Sequence, residues 1–231
     1  MYRERIVRNP ALLPLYGTIY VALRNCGFDD INLRKMFQSV LNQGYVTKME
    51  RIGFRKMDLY YLLFCGDFKH DISIDQIFPD TILSKNPPVI YLLDSDVYSI
   101  THTIFYLTDF GRRDVSHILK NQQEYIRWLI TILFGIYIRT KNWDIVGELL
   151  ITCICLHWLP MNMWDLAWKE LGKNQMFDGS ILGPTFSFDE FNKLDTLNKK
   201  TYIFEQNYHT TLVAFIACFL AKNYFISRND L

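Results

Sequence analysis

Few side chains in this sequence could do chemistry, and those few sit in unusual surroundings. Along the stretch 96–111, Ser99, His102, Tyr106 and Asp109 recur at offsets of 3, 7 and 10 residues, one face of a helix. A helical face turned to water normally carries Lys, Glu, Gln or Arg. None of the four occurs between Asp96 and Gly111. A polar stripe of Ser, His, Tyr and Asp points instead to an enclosed pocket or to a hydrogen-bond network between helices. His102 would serve as general base or ligand contact, Asp109 would orient or pair, and Tyr106 would donate a hydrogen bond. Ser99 and Tyr98 would be further ligand contacts. His102 and Asp109 lie two turns apart, about 10 Å along the axis, so they face one ligand and share no hydrogen bond. The plainer alternative is a satisfied core histidine, with Asp109 capping the next turn beside Arg112 or Arg113.

Glu148 is the second candidate. It lies in DIVGELLITCICLHWL, an otherwise apolar run, where a carboxylate must be paired or neutral. A buried Glu with a raised pKa is the usual form of a general acid or base. Asp144, Glu148, Thr152 and Cys155 share its face, and Gly147 lets another helix approach closely. The structural alternative is a salt bridge to Arg127 or Arg139. His209 is the third candidate, opening the last apolar run in NYHTTLVAFIACFLA. Its alternative is a helix-start histidine bonded to a backbone carbonyl. His157 falls near a helix C-terminus, and His70 and His117 lie in charged, solvated stretches.

No cofactor is expected. Walker A, GxGxxG, GxSxG and kinase signatures are absent. A metal centre from His102, His209, Asp109 and Glu148 lacks the Glu-x-x-His pairing of helical di-metal sites, and HExxH and Cys/His zinc spacings are also missing.

These residues need helices to carry them, and the composition supplies helices. The 231 residues are 50% hydrophobic and 16% aromatic, with 11 Gly, 7 Pro and a net charge of +1. Scarce Gly and Pro disfavour an all-β fold. The aromatic load excludes disorder, and the balanced charge gives no drive toward nucleic acid or anionic lipid. Helical periodicity places elements at about 10–25, 30–41, 55–65, 72–83, 95–111, 114–121, 122–140, 142–159 and 162–171. A last helix runs from about 202 or 208 to 226. The caps are expected at Asp30, Ser95, Asn142 and Asn162. Residues 45–54 read as extended or a connector. The polar segment 173–200 reads as a long loop or lid with one short helix near 187–197. The apolar runs 128–138 and 212–221 fall short of the roughly 20 residues that span a bilayer. Five cysteines without a CxxC pair read as buried thiols in a reducing cytoplasm.

Asp58, Asp96, Asp144 and Asp165 each precede an apolar pair at a helix start, the first three 38 and 48 residues apart. That spacing fits stacked helical hairpins, although capping alone explains it equally well. The expected fold is therefore all-α, one domain over 1–231, as a toroid or solenoid of hairpins or an irregular bundle.

The string Thr101-His102-Thr103-Ile104-Phe105-Tyr106-Leu107-Thr108-Asp109-Phe110-Gly111 resembles a Thr-His-x-x-Phe-Tyr-x-Thr-Asp-Phe-Gly pattern in an uncharacterised bacterial all-helical family. Tyr208-His209-Thr210-Thr211-Leu212 resembles a second motif of that family. Its members often accompany natural-product or modified-peptide biosynthesis genes. The resemblance implies a helical, repeat-like fold and a His102/Asp109 pair with His209 opposite, and it supplies no reaction.

Two functions stay open on these grounds. One is a bacterial cytoplasmic protein whose polar pocket binds or modifies a small molecule or peptide in a specialised pathway. The other is a non-catalytic helical module that holds a partner protein or leader peptide.

Overall fold

The computed structural model describes residues 2–229, and every regular element among them is helical. The chain forms two compact units, the first through Lys85 and the second from Asn86.

The first unit contains α1 (Tyr2–Arg8), α2 (Leu13–Asn25), α3 (Ile31–Asn42), α4 (Tyr45–Lys48), α5 (Gly53–Cys65) and α6 (Ile74–Ile77). Asp30 caps α3, its carboxylate accepting the Asn32 and Leu33 N–H groups. The stretch 45–54, expected to be extended or a connector, begins with the one-turn helix α4. Tyr20, Phe37 and Phe68 form an aromatic trio with ring centres 5.5–6.2 Å apart. They pack with Ile6, Leu13 and Leu63, all buried. Gly53 is required where it stands, because a Cβ there would lie 2.3 Å from the Asp80 carbonyl oxygen.

The second unit contains α7 (Asp94–Thr108), α8 (Ser116–Leu119), α9 (Gln123–Thr140), α10 (Trp143–Cys155), α11 (Met161–Lys173), α12 (Phe188–Lys193) and α13 (Thr196–Asn229). All thirteen residues of α10 are buried. This makes it the core helix of the unit, with α7, α9, α11 and α13 all packed around it. Gly147 sits where α13 comes closest. A Cβ there would fall 2.8 Å from Val213 Cγ1. Asn142 caps α10 through the Ile145 N–H.

Three start positions differ from expectation. Helix α7 begins at Asp94, not after Ser95, because Asp96 reaches back to the Leu93 N–H at 3.0 Å. Pro160, not Asn162, precedes α11. Helix α13 begins at Thr196, with Asp195 accepting the Leu197 and Asn198 N–H groups. Over Thr196–Ile226 it is long and apolar enough to cross a membrane by length and composition, which the two separate apolar runs did not suggest. Little more than a quarter of its most apolar window is buried.

The segment expected to be a loop or lid is irregular from 174 to 187 and again at 194–195, on either side of the short helix α12. It lies strapped along α13. The Ile181 N–H donates to Thr211 Oγ1, and the Gly183 N–H donates to Asn207 Oδ1, both at 3.0 Å. Thr185 Oγ1 donates to Gln206 Oε1 at 2.5 Å.

Candidate functional site

Two carboxylates project from α10 one turn apart, Asp144 and Glu148. Their side chains are 4% and 3% exposed. A buried carboxylate needs partners, and α7 and α13 supply them.

Asp144 gathers three donors. Tyr98 Oη from α7 donates to Oδ2 at 2.5 Å. Thr210 Oγ1 from α13 donates to Oδ1 at 3.0 Å, and His209 Nδ1 lies 2.8 Å from the same oxygen. An ionised carboxylate only accepts, so His209 carries its proton on Nδ1 and, when neutral, its lone pair on Nε2. A buried Asp behind a half-exposed histidine (56% exposed) is the arrangement that orients a general base. Tyr98 is the opposite of a base. Burial, the hydrogen bond to Asp144 and the nearby carboxylates hold its phenol far above the ordinary range.

Glu148 meets α7. The Thr101 hydroxyl donates to Glu148 Oε2, and His102 Nδ1 lies 3.5 Å from that oxygen. Burial pushes the Glu148 carboxyl up to about 8; the Thr101 bond pulls it down, and Asp144 pushes it up again. Glu148 therefore holds its proton at neutral pH. Thr101 Oγ1 also lies 3.1 Å from the Tyr98 carbonyl. His102 Nδ1 lies 2.8 Å from the same carbonyl, which can only accept. His102 thus also carries its proton on Nδ1, placing the lone pair of the neutral ring on Nε2. Its ring, 29% exposed, packs against Tyr98, Phe105 and Tyr106.

The sequence candidates divide accordingly. Tyr98, His102 and Glu148 come together, His209 joins them through Asp144, and Tyr106 borders the His102 ring at 5.9 Å. Ser99 turns its hydroxyl back onto the Ser95 carbonyl of its own helix at 2.9 Å. Asp109 stands at the far end of α7, in the left-handed region with Phe110 and Gly111. There the helix has ended, so the stripe from His102 does not continue to it as a straight face. It is close enough to Cys155 to help burial push that thiol up to about 12. Glu148 pairs with α7, and not with Arg127 or Arg139. Asp144 was placed on the Glu148 face by its spacing but not as the hub, because from sequence it reads as a first-turn dipole residue. The missed signal was Thr210 beside His209: two donors in a row opposite one acid.

The five cysteines are free thiols; Cys153 and Cys155 are buried as expected, whereas Cys65 is half-buried and Cys26 and Cys218 are exposed. Burial raises Cys153 as it does Cys155, so neither is an activated nucleophile. Among the described residues no group of three or more His, Cys, Asp or Glu could hold a metal ion. At the other end of α10, Gly111, Arg112, Arg113, Arg127, Cys155 and His157 line a cavity of about 460 Å³.

The arrangement offers two imidazoles with Nδ1–H fixed from behind, His209 by the Asp144 carboxylate and His102 by the Tyr98 carbonyl. With Nδ1–H held, proton exchange with a bound molecule would run through Nε2 of each ring.

The chain belongs to the family described as a domain of unknown function (DUF6895), whose model matches residues 1–219. No curated protein and no solved structure matches it.

Proposed function

We propose that this family member binds a small polar molecule or a peptide segment over the His102–His209 edge of the second unit and moves a proton on it. The observation that carries this reading is the His209 Nδ1–Asp144 Oδ1 contact at 2.8 Å, with Tyr98 and Thr210 completing the buried carboxylate. Four helix-borne side chains converge there, and packing alone would be served by apolar ones. His209 is the base, Asp144 its positioning residue, His102 the second proton-transfer group and Glu148 the proton-holding acid behind it. We place this activity in the cytoplasm of a bacterium, within a specialised biosynthetic pathway. Support comes from the free thiols and from the resemblance of the 101–111 and 208–212 strings to helical proteins that accompany such pathways. The stacked-hairpin arrangement belongs to the same proposal, on the Asp spacing alone.

The test is native mass spectrometry of the purified full chain for a retained molecule, followed by imidazole NMR during titration with that molecule or with fragments of peptide and carboxylate type. Ligand shifts should centre on His102 and His209 and vanish in His209→Ala. Shifts confined to other residues, or unchanged by His102→Ala and His209→Ala, would sink the proposal.

A second reading, the interaction module, draws on the first unit. A groove of about 770 Å³ runs there between α2 and α3, lined by Tyr16, Ile19, Leu23, Phe28 and Leu33, with Asp29 and Asp30 at its edge. It suits a peptide with an apolar face and flanking basic residues. Binding of such a peptide, lost in Leu23→Asp and indifferent to His102→Ala, would favour this reading over the first.

A further inference from the structure

Helix α13 has two faces of different character. The face toward α10 is small and partly polar, with Asn207, Thr210, Ala214, Ala217, Ala221 and Tyr224 all buried. The other face carries Tyr208, Leu212, Phe215, Phe219 and Ile226, between 49 and 66% exposed. With Glu205 and Lys222, also exposed, these residues follow steps of 3, 4, 3, 4, 3 and 4 along the chain. That alternation is the repeat of a coiled-coil seam, which needs a second helix laid along it.

The seam says which helix. Read in reverse from Lys222, it meets itself in complementary layers. Lys222 falls opposite Glu205, Phe219 opposite Tyr208, and Phe215 opposite Leu212. Every residue number in these pairs is reflected about one point between Val213 and Ala214. Such a two-fold reflection is the signature of an isologous interface. Laid parallel, the same seam would put Glu205 against Glu205 and Lys222 against Lys222, which repels. The exposed apolar side chains, Phe204 and Phe225 included, offer roughly 700 Å² per copy, against about 800 Å² per partner in a stable interface.

We propose that α13 pairs antiparallel with the α13 of a second copy of this chain, forming a two-fold dimer stitched by Glu205–Lys222 pairs at both ends of an aromatic seam. A lipid surface fits less well. The stripe is charged at both 205 and 222, and the opposite face of the same turns is packed on α10, with Thr210 bonded to Asp144. The dimer does not depend on the acid–base reading, since its seam lies on the other face of the helix.

Sedimentation velocity on the full chain, without detergent, tests the proposal. The parent should be a dimer, and Leu212→Glu should be a monomer with unchanged far-ultraviolet circular dichroism. Glu205→Lys and Lys222→Glu should each weaken dimerisation about tenfold or more, by placing like charges opposite one another. The double exchange E205K/K222E should restore it, which a merely misfolded variant would not do. A monomeric parent overturns the proposal, as does a dimer indifferent to Leu212→Glu. A double exchange that stays weak overturns the antiparallel register. A parent that floats with phosphatidylcholine vesicles through a Leu212-dependent contact, and is monomeric without them, assigns the face to lipid instead.

Discussion

Asp144 Oδ1 and His209 Nδ1 stand 2.8 Å apart across 65 residues of chain. The contact ties the first turn of the core helix α10 to the middle of α13. It commits the histidine to one tautomer, and that commitment can be measured.

Imidazole ¹⁵N shifts should show His209 protonated on Nδ1 in its neutral form, against the Nε2-protonated form usual for a solvated ring. Asp144→Asn should abolish the preference. An amide has one acceptor where the carboxylate has two, so Tyr98, Thr210 and His209 can no longer all be satisfied. The variant should also lose about 1–3 kcal/mol of stability. An unchanged His209 tautomer in Asp144→Asn would separate the ring from the carboxylate.

Glu148 should make the protein more stable in acid than in mild base. Its folded pKa is raised from 4.5 to about 8 by burial, so between these values the folded state holds a proton that the unfolded chain has released. Stability from this group therefore falls as pH rises through that window, by at most about 1.4 kcal/mol per pH unit, and levels off above it. Glu148→Gln removes the slope, and should equal or exceed the parent in melting temperature above pH ~8. Comparing the two pH profiles isolates Glu148 from Asp144 and the histidines.

Gly147→Ala should cost about 1–3 kcal/mol, because the added methyl meets Val213 Cγ1 at 2.8 Å. Val213→Ala should recover most of that loss when combined with it. A cycle of the four variants in urea gives the coupling directly. Additive costs would show that α13 does not press on α10 at this point.

Gly183→Ala should be worse tolerated. Its Cβ would lie 1.9 Å from the Gln206 carbonyl oxygen, a backbone atom that cannot turn aside. The strap must lift from α13, so amide exchange should rise at Ile181 and Gly183 together, with the α10 core still protected. Parent-like exchange at both amides would refute the close approach.

The all-helical class was legible because Gly and Pro are sparse and the apolar spacing is helical almost throughout. His102, Glu148 and His209 were legible for a related reason: each interrupts an apolar run where a charge is expensive. Asp109 shares their helical spacing but stands apart at the end of α7. Helical spacing carried the stripe two turns onward, past the point where the backbone turns left-handed at Asp109, Phe110 and Gly111. Asp144 was underrated because a first-turn acid satisfies the helix dipole whether or not it has another task. Its task depends on which helix lies opposite, and that is set where Gly147 meets Val213, a residue of the distant helix α13. The start of α13 was set too late because the polar turns 196–207 look like loop until their strap is in place.

Helix α13 turns about 100° per residue, so Tyr208, His209 and Thr210 point in three different directions. Only one rotation of the rod presents His209 to Asp144, and the same rotation sets Tyr208 outward. The rod thus works as an indexed shaft. A twist by one residue would carry the imidazole away from the Asp144 carboxylate. Whatever grips the outer side of α13 therefore holds the Asp144–His209 contact on its other side in step.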